Sequence, residues 1–102
     1  MSMKVNTQSV NFYADQKLIN FIQNRLNKLD KFYDKVINAD VYLKLDNNNE
    51  KVNKIFEVRL SVPGDSFVVK KQSRTFEEGA DLAIGTLERQ LKKRKEKIRT
   101  YL

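Results

Sequence analysis

Arg89, Lys92, Lys93, Arg94, Lys95, Lys97 and Arg99 place seven cations within an eleven-residue stretch, opposed only by Glu96. Such a run suits one kind of chemistry, the neutralisation of a polyanion, above all the closely spaced phosphates of a nucleic acid. Over all 102 residues, 20 Lys and Arg stand against 13 Asp and Glu, a net charge of +7. Seven cations less one anion give the stretch +6 of that total, so the rest of the chain is nearly balanced. Cations near a helix C-terminus are favoured by the macrodipole by about 0.3–1 kcal/mol each. Two or three would exploit that effect; seven repel one another and call for a negative partner. A solvated helix end is the simpler reading of the same run, and any single lysine taken alone is an ordinarily solvated one. A membrane-surface or calmodulin-target helix fits less well, because the apolar stripe is needed for the fold.

Catalytic chemistry finds little to work with. The chain has no histidine and no cysteine, which removes the usual general base, the commonest metal ligand and any thiolate. Asp15, Asp40, Asp46, Asp65 and Asp81 are scattered over caps, strand surfaces and turns, and no spacing pairs two of them for carboxylate chemistry. No glycine-rich phosphate loop is present. A binding protein without enzymatic activity, cofactor or metal is expected. No segment reaches the roughly 18 apolar residues of a membrane helix, and Met1-Ser2-Met3-Lys4-Val5 lacks the apolar stretch of a signal peptide, so a cytoplasmic protein is expected.

The cations must be held by local elements. Lys4–Ser9 reads as a short strand. Asp15 is a good N-cap, and Leu18, Ile22, Leu26, Leu29 and Tyr33 recur at helical spacing behind it, predicting a helix over 15–33. Ala39, Val41, Leu43 and Leu45 alternate with Asp40, Tyr42, Lys44 and Asp46, the period of a half-buried strand. The polar Asn47-Asn48-Asn49-Glu50-Lys51 leads to a third strand in which Phe56, Val58, Leu60 and Val62 alternate with polar residues. Pro63-Gly64-Asp65 is a turn into a fourth strand over 66–72. Short connections make these three strands an antiparallel meander. Thr75-Phe76-Glu77-Glu78 fits a capping box, and Ala80, Ala83, Ile84, Leu87, Leu91 and Ile98 carry a helix over 76–100 despite Gly79 and Gly85, each of which costs about 1 kcal/mol in a helix interior. The expectation is an α+β fold, β-α-β-β-β-α, with two helices packed on one face of a four-stranded sheet, like a double-stranded-RNA-binding domain. The last turns of the second helix should overhang the sheet.

With Ile22 as the core direction and about 100° per residue, Arg25 falls near −60°, Lys28 near −120°, Lys17 near −140° and Lys31 near 180°. In the second helix, with Leu87 as zero, Lys93 and Lys97 fall near −120° and −80°, while Arg89 and Lys92 point away from the sheet. Adjacent helices would then present one continuous basic surface. Among the aromatics, Phe56 and Phe76 suit a core, and Tyr13, Tyr42 and Phe32 suit partly exposed positions. Tyr42, on the open sheet face, could stack a base. The glycine-aromatic strand signature of an RRM and the GxxG loop of a KH domain are both missing, which favours shape and phosphate contacts over base-specific readout.

The run Ala80-Asp81-Leu82-Ala83-Ile84-Gly85-Thr86-Leu87-Glu88-Arg89-Gln90-Leu91-Lys92-Lys93-Arg94-Lys95-Glu96-Lys97 resembles the ribosome hibernation-promoting factors, the ribosome-associated translation inhibitor family. Leu26-Asn27-Lys28-Leu29-Asp30-Lys31-Phe32-Tyr33-Asp34-Lys35-Val36 is similar to that family's second recurrent stretch. The resemblance implies a single ribosome-binding domain over 1–102, in the short form. It implies binding to the small ribosomal subunit and its 16S rRNA, in the channel used by messenger RNA and the A- and P-site transfer RNAs. Competition with those RNAs would silence translation and preserve idle ribosomes in stationary phase or stress. The family's RNA-binding positions fall here on Arg25, Lys28, Lys31, Arg89, Lys92, Lys93, Lys95 and Lys97. No membrane is implied, and the protein would be monomeric off the ribosome. Glu78-Gly79-Ala80 stands where the family more often has bulkier apolar residues, and Lys70-Lys71 where it has small ones. With the chain stopping at Leu102, a linked second domain that pairs ribosomes is not expected. The same residues also leave room for a general double-stranded-RNA-binding module, or for an interaction domain that docks an acidic protein.

Overall fold

A computed structural model describes residues 4–33, 35–47 and 51–101, with side chains up to residue 96. Of the residues read above, Met1 to Met3, Asp34, Asn48, Asn49, Glu50 and Leu102 lie outside the described residues, as do the side chains of Lys97, Ile98 and Arg99. The element order is β1 (Lys4–Ser9), α1 (Gln16–Phe32), β2 (Asn38–Leu45), β3 (Lys54–Val62), β4 (Asp65–Ser73) and α2 (Phe76–Tyr101). The strands lie side by side as β1-β2-β3-β4. The meander is antiparallel, and β1 joins it in parallel with β2, Lys4 opposite Asn38 and Ser9 opposite Leu43. A parallel neighbour needs a crossover connection, and α1 supplies it.

Local chemistry sets most boundaries. The Leu18 amide donates to the Asp15 carboxylate (2.8 Å), which starts α1, and Tyr33 leaves the helix in extended conformation while its amide donates to the Leu29 carbonyl. β3 begins at Lys54 rather than at Phe56, because Lys54 and Ile55 pair with Leu45 and Lys44. The β3–β4 turn is shorter than the expected three residues. Asp65 already pairs with Val62, so only Pro63 and Gly64 turn the chain, and Gly64 sits at φ 78°, which glycine adopts without penalty. At the start of α2 the Glu78 amide donates to the Thr75 hydroxyl (3.1 Å).

One face of the sheet carries Ala39, Val41, Leu43, Phe56, Val58, Leu60 and Val69, and it is covered by Ile22, Leu26 and Leu29 of α1 with Ala80, Ala83, Ile84, Leu87 and Leu91 of α2. Both helices therefore lie on that face. Gly79 explains how α2 comes so close: a Cβ there would stand 3.1 Å from the Phe56 Cβ. A bulkier residue would hold the helix start off the sheet.

The far end of α2 passes beyond the sheet. Leu91 is its last fully buried side chain among those described. One turn later the Arg94 guanidinium reaches back, donating to the Pro63 carbonyl (2.8 Å), the Asp65 carboxylate (3.2 Å) and the Tyr33 hydroxyl (3.2 Å). That clamp marks the end of the sheet. Lys95 and Glu96, just after it, are exposed.

Candidate nucleic-acid interface

The cations predicted to meet RNA divide into three kinds of environment. Lys28 and Lys31 of α1 and Lys92, Lys93 and Lys95 of α2 are exposed, and none of them enters a described ion pair. Arg89 is exposed as well, with one guanidinium nitrogen donating to the Thr86 hydroxyl one turn earlier (3.1 Å). Arg25 is different. Its Nε lies 3.1 Å from the Asp81 carboxylate, out of line for a hydrogen bond, and its guanidinium lies over the Phe21 ring at 4.7 Å. It joins α1 to α2 as well as carrying charge. Lys97 belongs to α2, but its side chain lies outside the described residues.

Arg94, counted in the basic run, is committed to the clamp just described, so the run is less free than its composition suggests. Nothing in the sequence pointed there: Tyr33 is 61 residues from Arg94, and a fork of donors is recognised only once the fold brings acceptors to it.

The two flanks of α2 also separate. Lys92 and Lys95 face α1 and line a shallow groove of about 250 Å³ with Phe32 and Glu96. Lys93 lies on the opposite flank, where Asp65, Phe67, Gln90 and Arg94 line a second hollow with it. Phe32 of α1 thus meets Lys92 and Lys95 of α2 in one groove, and Lys93 lies around α2 toward the hairpin.

The open face of the sheet is electrically different. Asp40 stands opposite Arg59, Glu57 stands opposite Lys70, and Lys44 is ion-paired with Glu57 at 3.1 Å. Asn6 donates to Asp40 (3.2 Å). Tyr42 is half-buried, with the Lys44 ammonium 5.9 Å from its ring centre. Acidic and basic side chains are interleaved across these strands, unlike the run of cations on α2. Among the described residues no cluster of acidic side chains suits a metal ion, and no helix is long and apolar enough to cross a membrane.

Residues 5–99 match the family model described as sigma 54 modulation protein / S30EA ribosomal protein. The chain belongs to that family. A ribosome hibernation promoting factor from Pseudomonas putida is 29% identical over 100 residues, covering 98% of this chain and 94% of the relative. One from Klebsiella oxytoca is 26% identical and is covered in full, with 97% of this chain matched. The ribosome hibernation promotion factor of Bacillus subtilis is 26% identical over 98 residues, which is half of that longer protein. Among solved structures, a ribosomal subunit interface protein from Coxiella burnetii superposes with a TM-score of 0.80 at 20% identity, over 92% of this chain and 99% of that one. The N-terminal domain of Thermus thermophilus Protein Y gives 0.74 at 21% identity, over 91% and 98%. The family's fold is thus the β-α-β-β-β-α arrangement seen here.

Proposed function

We propose that this protein is a ribosome hibernation factor that binds the small ribosomal subunit in the channel for messenger RNA and the A- and P-site transfer RNAs. The exposed cations Lys28, Lys31, Arg89, Lys92, Lys93 and Lys95 of α1 and α2 would lie against 16S rRNA, together with Lys97 further along α2 and with Arg25 held at the helix junction. The bound ribosome cannot take up messenger or transfer RNA, so translation stops while the particle is preserved in the cytoplasm of a starved or stationary cell. The protein acts by occupancy, without catalysis or cofactor. The observation that carries this reading is the match over residues 5–99 to a family whose relatives are named for ribosome hibernation, in a chain whose helices hold Lys28, Lys31, Arg89, Lys92, Lys93 and Lys95 exposed.

The test is co-sedimentation with purified small subunits, with and without transfer RNA and a short messenger bound beforehand. Binding to the empty subunit and loss of binding to the loaded one are expected. Undiminished binding to loaded subunits would place the protein outside the channel. Equal binding to any duplex RNA added as competitor would reduce it to a general double-stranded-RNA-binding module.

A further inference from the structure

Most partly buried aromatic rings here already have a partner. Phe12 stacks on Phe76 with centroids 5.3 Å apart and planes 4° from parallel, Phe21 lies under Arg25, and Tyr42 lies beside Lys44. Phe32 has no such partner among the described contacts. It is the last residue of α1, is 40% exposed, and forms one wall of the groove whose other walls are Lys92, Lys95 and Glu96. Both lysines are exposed, neither ammonium stands over the ring, and neither enters a described ion pair. Tyr13, at 94% exposure, is another open ring among the described residues, but its groove sets Asp15 and Glu77 against Lys17 alone, whereas the Phe32 groove sets two lysines against the single Glu96.

We propose that Phe32, Lys92 and Lys95 form a subsite for one unpaired nucleotide of the bound RNA, its base stacked on the ring and its phosphates held by the two ammonium groups. This rests on the RNA-binding role proposed above and adds base stacking to it. A flat apolar face set between two free cations matches the two faces of a nucleotide, planar base and anionic backbone, and stacking accepts any base. The site would therefore favour single-stranded or bulged RNA over a continuous duplex, whose bases are already stacked on one another.

The chain contains no tryptophan, so Phe32→Trp installs a single indole as reporter. Titration with a single-stranded oligoribonucleotide is expected to quench its emission, and Lys92→Gln with Lys95→Gln in the same protein to remove the quenching. A duplex of equal length, or polyglutamate, should leave the emission unchanged. Phe32→Leu keeps an apolar side chain but cannot stack, and is expected to weaken small-subunit binding about ten-fold with an unchanged thermal midpoint. Unchanged indole emission while a labelled oligonucleotide binds by anisotropy would overturn the subsite, as would equal quenching by duplex or polyglutamate. If unsubstituted protein fails to bind small subunits at all, the ribosomal reading falls, and the oligonucleotide titration still decides the subsite.

Discussion

Arg94 shows how one side chain can leave a charge cluster and become part of the scaffold. Its guanidinium joins the end of α2, the β3–β4 turn and the end of α1 through three acceptors, and it remains only 23% exposed. Hydrogen bonds from a charged donor contribute about 1.5–3 kcal/mol each when buried and less near solvent. Arg94→Ala is therefore expected to lower unfolding stability by about 2 kcal/mol in a urea titration. Arg94→Lys should recover little of the loss, because an ammonium cannot span three divergent acceptors. Lys93→Ala, one residue away and exposed, should stay within about 0.5 kcal/mol. Equal losses at the two positions would mean that the clamp adds nothing. The Arg25–Asp81 pair sits nearer solvent, with side chains 37% and 55% exposed. Asp81→Asn should accordingly change stability by less than about 1 kcal/mol.

In α2, two glycines of the same nominal helix penalty have opposite meanings. Gly79 is buried under Phe56, and a methyl group there would stand 3.1 Å from the Phe56 Cβ. Gly85 meets nothing closer than the flexible end of Arg89, at 3.9 Å. Gly85→Ala is expected to stabilise by about 0.5–1 kcal/mol, because alanine is the better helix former and finds room. Gly79→Ala should destabilise, because the helix start must move away from the sheet. Thermal melts of the two variants should shift in opposite directions; a shift in the same direction would refute the packing argument. Sequence patterns announced all six elements, since each carries its own period, cap or turn: Asp15 and Thr75 act locally and were readable as caps. What they did not carry is non-local. The parallel partner of β1, the pairing of Asp65 opposite Val62, and the Arg94 clamp depend on residues that meet only in the folded chain. The candidate interface was readable as a list of cations for the same reason, but its division into free lysines, a junction arginine and a clamp was not.

Across the whole molecule, charge is segregated. Glu77 and Glu78 lie in the first turn of α2, with Asp81 soon after, and the cations follow Glu88, so the helix runs from an acidic end to a basic one. The sheet's open face interleaves acids and bases, with Lys44 ion-paired to Glu57 and Asp40 opposite Arg59. Binding to RNA should then be steeply dependent on salt: with about six phosphates neutralised, log K should fall against log salt with a slope of about −4 to −5. Lys92, Lys93 and Lys95 changed together to glutamate alter the charge by −6, three residues each moving from +1 to −1, and should abolish small-subunit binding and flatten that slope. The same reversal at Lys4, Lys70 and Arg74, exposed on the strands and the β4–α2 connection, should weaken binding far less. Circular dichroism melts of both triple variants should accompany the binding measurements, so that unfolding is not mistaken for lost contact. Equal losses would leave only unspecific attraction between a cation and a polyanion.

The parallel pairing of β1 also orders events in time. Lys4 meets Asn38 and Asn6 bonds Asp40, 34 residues along, whereas β3 and β4 face each other across a two-residue turn. Loop closure over the longer span is entropically dearer and slower. On a nascent chain β1, made before the other three strands of the sheet, is therefore expected to wait for α1 and β2 before it gains a neighbour. Pulse-labelled amide exchange during refolding should find β3 and β4 amides protected before those of β1, and simultaneous protection would show a sheet that forms in one step. Of the four strands, β1 is made first and is expected to dock last.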